Sequence, residues 1–451
     1  MGAGPASTPL GSIGQTVLPY ATFQAAFTKD PGQLHDAVRT ATAAAAGGDA
    51  DAQQCMIAGW HDAIAALSQS ARPVLAMGES GAAIMHTPQN GLASRVQSLL
   101  VRQATAAGQL GTLQPPQAVA TPEGDSFTPG VRYVKFDDAD VAGWLQLLPE
   151  LIFKPPKATW IDPPPVPETI ADDARIAVFG DWGTGLYGAP AISRTIAALD
   201  RCDVVLHVGD TYYSGEPAEI QDRLIGNWPR RAGATLNRSL NGNHEMYSGG
   251  NGYFQALGTF FQQPASCFAM QNSNWILACL DTSYEDFDLD EKQVAWLKAI
   301  VDAAGARKLI LFSHHQPFSQ LDAQGPKLQI ALAGLLRTQR IHAWFWGHEH
   351  RLVLYDPHPV WGFKGRCVGN GGFPAFRDDL PDAHGDVYQW LILPAQPHAP
   401  KAQLLDGPNF WIPQSTTGFS PHGYAFLEFD GDKVWETYRM PNNIGLLKAQ
   451  L

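Results

Sequence analysis

Five short apolar runs in this sequence each end in a residue that can bind a metal ion. Apolar runs of this length, bounded by glycine and polar residues, predict buried β-strands. They cover residues 175–179, 204–208, 239–240, 308–313 and 342–346, and the residues that follow them are Asp181, Asp210, Asn243, His314, and the pair His348 and His350. Ligands bind at the carboxyl edge of the strands in an open α/β sheet. We therefore expect these six side chains to meet at one edge of a sheet.

The six side chains combine the donor types that a pair of catalytic cations needs. Carboxylate and amide oxygens suit hard cations, and Zn, Fe and Mn also accept imidazole. Asp210 is central in the order and is our choice for the carboxylate that bridges two ions ~3.5–4 Å apart. Two such ions would clamp a phosphate and lower the pKa of a water held between them. Each motif alone is typical of a turn, a cap or a structural histidine, but the ordered series favours a metal site.

Composition and charge argue against several classes of function. The 451 residues carry a formal charge of −12, which disfavours a nucleic-acid-binding surface. The five cysteines form no CxxC pair, which favours a reducing compartment such as the cytoplasm. Residues 1–20 show no secretory signal, and no apolar run reaches the length of about 18 residues that predicts a membrane span.

The N-terminal third of the chain differs from the rest. Residues 1–153 are rich in alanine and glutamine, and helices are predicted at 34–46, 55–69 and 92–107. We expect a mostly helical region that serves as a cap or binds a protein partner. A proline-rich stretch at 154–173 predicts a semi-rigid linker.

Residues 174–451 show strands that alternate with helices, which is typical of an α/β or mixed sandwich. Further strands are predicted at 275–280, 424–429 and 433–438. Helices are predicted at 189–199, 290–303 and 326–336. The second of these helices begins with Asp290 and Gln293 in the spacing of a capping box.

Taken together, the motifs resemble those of the calcineurin-like metallophosphoesterase superfamily over about residues 174–372. The matching stretches are Gly180-Asp181-Trp182-Gly183, Gly209-Asp210-Thr211-Tyr212-Tyr213, Gly242-Asn243-His244-Glu245, His314-His315 and Gly347-His348-Glu349-His350. The resemblance implies a two-sheet β-sandwich flanked by helices, which is the α/β fold class that we expect for residues 174–451. It also implies a dinuclear metal site that hydrolyses phosphate esters through a metal-bound hydroxide.

One position separates this chain from most of that superfamily. Gly183 stands where most members carry a histidine ligand, and Tyr213 completes the Gly-Asp-x-x-Tyr pattern of the purple acid phosphatases. In that branch a tyrosinate binds Fe(III), and the second ion is divalent Fe, Zn or Mn. The resemblance implies a first ion on Asp181, Asp210, Tyr213 and His350, and a second ion on Asp210, Asn243, His314 and His348. The alternative role for Tyr213 is that of an aromatic lining residue.

The histidine pair leaves two assignments open. The purple acid phosphatases show His-x-Pro, which points to His315 before Gln316-Pro317, whereas the wider superfamily often shows His-His with the first as ligand. The length of the preceding strand favours His314. His315 remains the alternative ligand, with substrate binding as its other role.

His244 follows a predicted ligand and needs no metal of its own. The resemblance makes it a phosphate contact or the general acid that protonates the leaving oxygen. Glu245 would orient it by accepting a hydrogen bond from the ring.

These expectations define a phosphoric ester hydrolase that is similar to the acid phosphatases and acts on a phosphorylated substrate, with phosphomonoesters first. A phosphodiesterase of the same superfamily is the alternative. A catalytically silent interaction scaffold is a third reading, from a different functional class, and a metal analysis would separate it from the other two.

Overall fold

The computed structural model describes residues 13–19, 23–24, 36, 38–40, 42–43, 46–69, 84–87, 89–112, 132–134 and 155–451, except 232, 324, 381–386 and 413–416. The chain divides into two compact units. The described residues up to 134 belong to the first unit, and those from Pro155 onward belong to the second.

Among its described residues, the first unit contains two long helices, α1 (Ala50–Gln69) and α2 (Gly91–Ala106). Helix α2 begins at Asn90, whose side chain accepts a hydrogen bond from Ala93 N at 3.0 Å. The helices predicted at 55–69 and 92–107 are confirmed, and the one predicted at 34–46 lies partly outside the described residues. A short sheet that the sequence did not predict has the order β1-β3-β2, from β1 (Thr16–Val17), β2 (Leu110–Thr112) and β3 (Arg132–Val134).

Among its described residues, the second unit contains a nine-stranded and a six-stranded β-sheet. The strands of the nine-stranded sheet are β4 (Glu168–Thr169), β8 (Phe268–Gln271), β9 (Trp275–Cys279), β10 (Lys308–Phe312), β11 (Ile341–Trp346), β12 (Leu352–Pro357), β13 (Lys364–Val368), β14 (Gln389–Leu393) and β15 (Ala402–Asp406). Their order is β14-β15-β12-β13-β11-β10-β9-β8-β4. The strands of the six-stranded sheet are β5 (Arg175–Phe179), β6 (Val204–His207), β7 (Leu236–Ser239), β16 (Tyr424–Asp430), β17 (Lys433–Arg439) and β18 (Gly445–Gln450), in the order β18-β17-β16-β5-β6-β7.

The two sheets pack face to face, because alternate residues of their strands share one buried cluster. Strand β5 contributes Ile176 and Val178 to this cluster, and β10 contributes Ile310 and Phe312. The intervening residues of each strand face outward, as Phe179 does toward helix α3 (Gly188–Ala198). Burial of each such side chain stabilises the fold by roughly 1.5–3 kcal/mol. The predicted two-sheet sandwich with flanking helices is confirmed.

The remaining helices are short, apart from one. They are α4 (Pro217–Glu219), α5 (Asn243–Met246), α6 (Asn251–Ala256), α7 (Glu291–Ala303), α8 (Pro326–Ala331) and α9 (Ala333–Leu336). Asp290 caps α7 by accepting a hydrogen bond from Gln293 N at 2.6 Å, as the sequence predicts. The helix predicted at 326–336 is divided at Leu332, whose φ of −102° and ψ of 13° are not helical.

Within each sheet, strand direction brings the carboxyl ends of the ligand-bearing strands to the same edge. Strands β5, β6 and β7 run parallel to one another, and so do β9, β10, β11 and β13. The carboxyl ends of parallel strands lie on the same side of a sheet. All five predicted ligand-bearing strands belong to these two parallel groups.

Residues 155–173 lie along the second unit. Ala158 N donates to Gly249 O at 2.8 Å, and Glu168–Thr169 pairs in parallel with β8 at the edge of the nine-stranded sheet. Within the described parts of the chain, no helix has the length and apolar character that a membrane span requires.

Candidate metal centre

The six residues predicted as metal ligands come together where the edges of the two sheets meet. Three follow strands of the six-stranded sheet and three follow strands of the nine-stranded sheet. All are buried except His350, whose side chain is 20% exposed. They are Asp181, Asp210 and Asn243 from the first sheet, and His314, His348 and His350 from the second.

Four of these residues adopt left-handed backbone conformations that are rare for residues with a side chain. The angle φ is 55° at Asp181, 81° at Asp210, 69° at His348 and 53° at His350. Each such conformation costs about 1–3 kcal/mol and persists only where the surrounding structure imposes it. Their concentration at ligand positions indicates that the backbone here is shaped for the site.

A glycine lets the two sheets approach each other at this edge. A Cβ atom at Gly347, just after β11, would lie 2.6 Å from Asp181 Oδ2. The same carboxylate oxygen accepts a hydrogen bond from His348 N at 2.8 Å. The loop from one sheet therefore rests directly on a carboxylate from the other.

The first group of donors surrounds the hydroxyl of Tyr212. This oxygen lies 3.1 Å from Asp181 Oδ1, 3.2 Å from Asp210 Oδ2 and 2.9 Å from His350 Nε2. His350 Nε2 is also 3.3 Å from Asp181 Oδ1. Burial and the two carboxylates raise the pKa of Tyr212 well above its ordinary value, so a cation is needed to favour its ionised form.

The hydroxyl that meets the two carboxylates belongs to Tyr212, the neighbour of the predicted ligand Tyr213. Tyr213, which the Gly-Asp-x-x-Tyr pattern selects, packs its ring against the Arg223 guanidinium, 5.3 Å from the ring centroid. Its neighbour Tyr212 supplies the hydroxyl that meets the carboxylates. The role of Tyr213 as a ligand stays a prediction, and the geometry adds Tyr212 as a candidate for the same position.

The second group of donors surrounds the amide oxygen of Asn243. This oxygen lies 2.9 Å from His314 Nε2 and 3.2 Å from His348 Nδ1. The amide nitrogen donates to the Tyr247 hydroxyl at 2.7 Å, which sets the orientation of the group. Asn243 therefore presents an acceptor oxygen to two imidazoles.

Both members of the histidine pair lie at this second group. His314 Nδ1 lies 2.9 Å from Val208 O, and His315 Nδ1 lies 3.1 Å from Thr282 O. A carbonyl can only accept, so each ring donates from Nδ1 and directs Nε2 elsewhere. Among the described residues, His315 Nε2 has no hydrogen-bond partner although it is buried. The two predicted alternatives are thus neighbours in one cluster.

Asp210 lies between the two groups. Its Oδ1 is 3.3 Å from His314 Nε2, and its Oδ2 accepts from the Tyr212 hydroxyl. Burial opposes ionisation of this carboxyl, but the neighbouring imidazoles of His314 and His244 outweigh burial and hold its pKa well below the usual value. The same interaction, against the cost of burial, raises the pKa of His314 to about 9.

This set of side chains fits metal ions because its hydrogen-bond acceptors outnumber the hydrogens that could be donated to them. The single O–H of Tyr212 faces two carboxylate oxygens and an imidazole nitrogen, and it can donate to one of them. A bound cation would displace the Nε2 proton of His314, whose lone pair and the Asn243 amide oxygen 2.9 Å away would then both face that cation. The ligand atoms of Asp181, Asp210 and His314 lie within 4.8 Å of one another, and so do those of His314, His315 and His348. Cations in both groups would resolve these acceptor contacts.

His244 lies beside the two groups with one ring nitrogen directed at them. Its Nδ1 hydrogen-bonds the carbonyl of Tyr213, and its Nε2 is 3.8 Å from Asp210 Oδ2. The ring packs between Tyr212 and Tyr247, at centroid distances of 4.4 and 4.9 Å. Burial lowers the pKa of His244, and Asp210 offsets part of that effect.

Glu245, which the sequence predicts to orient His244, contacts backbone N–H groups. Its Oε2 accepts from Asp210 N at 3.2 Å and from Gly242 N at 3.0 Å, so it holds the backbone of two ligand loops. His244 is oriented by the Tyr213 carbonyl instead. Burial, with the nearby Asp210 carboxylate, raises the pKa of Glu245 to about 8.

Residues 174–352 match the family of calcineurin-like phosphoesterases. These residues therefore form a calcineurin-like phosphoesterase domain, a family whose general chemistry is metal-dependent hydrolysis of phosphoesters. The predicted superfamily is thereby confirmed. A search of curated proteins gave no match.

Several solved structures are similar to this chain at low identity. A purple acid phosphatase from yellow lupin (Lupinus luteus) seeds is 16% identical, with a TM-score of 0.46, over 64% of this chain and 54% of the lupin chain. A predicted phosphoesterase from Streptococcus pneumoniae is 10% identical, with a TM-score of 0.28, over 62% and 98% of the two chains. Vacuolar Protein Sorting 29 from Cryptosporidium parvum is 12% identical, with a TM-score of 0.30, over 62% and 98%. None of these likenesses carries an argument about activity, and this chain spans about half of the lupin enzyme.

Proposed function

We propose that the second unit is a dinuclear metal-dependent phosphatase that hydrolyses phosphomonoesters. The observation that carries the proposal is the pair of acceptor-rich donor groups that share Asp210. One carboxylate oxygen faces the Tyr212 hydroxyl and the other faces His314 Nε2. A bridging carboxylate of this kind is the usual way to hold two cations ~3.5–4 Å apart.

The proposed ligands follow the two groups. The first ion would be held by Asp181, Asp210, Tyr212 and His350. The second ion would be held by Asp210, Asn243, His314 and His348, with His315 beside them. Two carboxylates and a phenol suit a hard ion such as Fe(III), whereas two imidazoles and an amide suit divalent Fe, Zn or Mn.

Bound ions would neutralise the charge of the phosphoryl oxygens and lower the pKa of an attacking water. The protein's own contribution is a proton at His244 Nε2. Because Nδ1 is fixed on the Tyr213 carbonyl, the protonated ring carries its second hydrogen at Nε2, on the side of Asp210. A leaving oxygen there would receive that proton, which is general acid catalysis.

The ligand loops are held so that this geometry exists before substrate binds. Glu245 anchors the backbone of Asp210 and Gly242, and carbonyl groups fix the rings of both His314 and His315. Metal-ligating histidines commonly donate their other ring N–H in this way, which fixes the tautomer and the ring orientation. The support for a metal site therefore extends beyond the donor atoms themselves.

Metal analysis together with a paired substrate assay tests the proposal. Purified protein should bind two metal equivalents and hydrolyse p-nitrophenyl phosphate at least tenfold faster than bis-p-nitrophenyl phosphate. The two esters release the same alcohol, so they differ only in the phosphate. A faster diester reaction would replace the proposal with a phosphodiesterase, and two bound metals without hydrolysis of either ester would contradict it.

A further inference from the structure

The loop that carries Tyr212 is held by a buried ion pair outside the donor groups. Glu219 and Arg223 have side chains that are 1% and 0% exposed, and Glu219 Oε1 lies 3.2 Å from Arg223 Nη1. Glu219 ends helix α4, and Arg223 lies in the π-helical turn that follows it at 220–225. A buried ion pair is often no more stabilising than an apolar pair of equal volume, so its presence calls for a specific role.

Both charges hold the same peptide group. Arg223 Nη1 donates to the carbonyl of Tyr212, and Glu219 Oε1 accepts from Tyr213 N at 2.6 Å. The other Glu219 oxygen accepts from Ser214 N at 3.0 Å and Glu216 N at 3.2 Å. One carboxylate and one guanidinium therefore fix the backbone from Tyr212 to Glu216.

The hydrogen bonds of Glu219 and Arg223 restrain the backbone on both sides of residue 213, and with it the Cα atom from which the Tyr212 side chain extends. A tyrosine side chain has two rotatable torsions, and the Tyr212 ring is confined between His244 and Phe373, at centroid distances of 4.4 and 4.3 Å. With the ring confined, a tilt of the backbone displaces the hydroxyl from Asp181 and Asp210. Tyr213 covers the guanidinium with its ring, so the residue that the motif offered as a ligand completes the support.

We propose that the Glu219–Arg223 pair is a positioning device that sets the Tyr212 hydroxyl in the first metal site. The inference rests on the proposed function, because it assigns Tyr212 to that site. It adds two residues that neither bind a metal nor touch the substrate but determine how firmly the first ion is held.

The test uses Arg223→Lys and Glu219→Asp. Each variant keeps the charge of the side chain but can reach fewer of its present hydrogen-bond partners. Arg366→Lys and Glu436→Asp are the matched controls. That pair is also buried, at 7% and 2% exposure with N–O distances of 2.8 Å, and its hydrogen bonds reach Tyr355, Gly365 and Tyr438 instead of the donor groups. Iron-loaded proteins are followed for loss of each metal equivalent to EDTA and for the visible absorption band.

The first metal equivalent should leave ~10–100-fold faster in Arg223→Lys and Glu219→Asp, the range typical for groups that support a ligand. The visible band should shift or weaken, and the second equivalent and both controls should behave as wild type. Wild-type release rates and an unchanged band in the two variants would overturn the inference. Should either single variant fail to fold, the apolar pair Arg223→Met with Glu219→Leu serves as the test, because it removes both charges together.

The outcome separates this inference from the proposed function. Wild-type protein that binds two metals without hydrolysing either ester would contradict the function, while the EDTA rates would still decide the role of the pair. Wild-type protein that binds no metal at the first site would overturn both.

Discussion

The edge of the six-stranded sheet and the edge of the nine-stranded sheet supply different chemistry to the centre. The proposed ligands from the six-stranded sheet all offer oxygen: Asp181 after β5, Asp210 and Tyr212 after β6, and Asn243 after β7. Those from the nine-stranded sheet all offer nitrogen: His314 after β10, and His348 and His350 after β11, with His315 beside His314. The centre lies where the edges of the two sheets meet, a place that we call the seam. It needs residues from both sheets.

This difference explains how two sites of unequal character arise within a few ångströms. The first group takes three oxygens and one imidazole, because only His350 reaches it from the nine-stranded sheet. The second group takes two imidazoles with the oxygens of Asn243 and Asp210. Hard oxygen donors favour a trivalent ion and imidazoles favour borderline divalent ions, so under the proposed function each group would select a different metal.

Loss of the shared carboxylate should have the largest effect on this arrangement. Asp210→Ala removes the one ligand that the two proposed sites share, so it should release both metals. Metal ions contribute several kcal/mol to the transition state, and 1.36 kcal/mol is tenfold in rate, so activity should fall by about 10³-fold or more. Metal analysis checks this against Asn243→Ala, which should empty mainly the second site. Two retained metals and full hydrolysis in Asp210→Ala would refute the bridge.

His244 is the one imidazole at the centre that comes from the six-stranded sheet, and the proposed acid role sets it apart from the ligands. His244→Ala should slow alkyl phosphates by ~10²–10⁴-fold while activated aryl phosphates lose much less, because a poor leaving group needs the proton. The metal content should stay at two equivalents. Equal losses for both classes of ester would make His244 a binding or structural residue.

A side chain added at Gly347, on the seam, should have a smaller effect on activity. A Cβ atom at Gly347 would meet Asp181 Oδ2 at 2.6 Å, so Gly347→Ala must displace either the Asp181 carboxylate or the loop that carries residue 347. Misplacement by about 1 Å can cost ~10²-fold, and we expect kcat/KM to fall toward that value with weaker binding of the first metal. Gly258→Ala is the control, since a Cβ atom there meets nothing within 4 Å. Wild-type kinetics in Gly347→Ala would show that the seam tolerates displacement.

The smallest effect is expected at the histidine that adjoins the second group. His315→Ala should weaken the second metal by about tenfold, as loss of a supporting group does, whereas His314→Ala should empty that site. Competition with a zinc-binding dye measures both affinities. If His315→Ala empties the site and His314→Ala does not, the two roles are reversed.

The sequence predicted much of this centre because its signals are local. Short apolar runs define β5, β6, β10 and β11, and their ends carry Asp, Asn and His in an order that identifies the edge. The same signals cannot show which way a side chain points after a strand ends. That direction depends on backbone angles such as the φ of 81° at Asp210, which only the packed structure imposes.

Two side chains near the centre show the same limit. Tyr213 satisfies the motif spacing, whereas the hydroxyl that meets the carboxylates belongs to Tyr212. Glu245 adjoins His244 in sequence, yet its carboxylate faces the backbone of Asp210 and Gly242. No sequence motif marks Glu219 and Arg223 as supporting residues, because this buried pair contacts a peptide group elsewhere in the chain.

The visible spectrum of iron-loaded protein tests the central claim most directly. If the six-stranded sheet supplies a hard site that contains the Tyr212 phenolate, the oxidised protein should be pink to purple through tyrosinate-to-Fe(III) charge transfer. Tyr212→Phe should bleach the band at unchanged iron content, and Tyr213→Phe should retain it. Bleaching by Tyr213→Phe with colour kept in Tyr212→Phe would contradict the assignment. A colourless wild-type protein with both sites filled would contradict the division of donors between the two sheets.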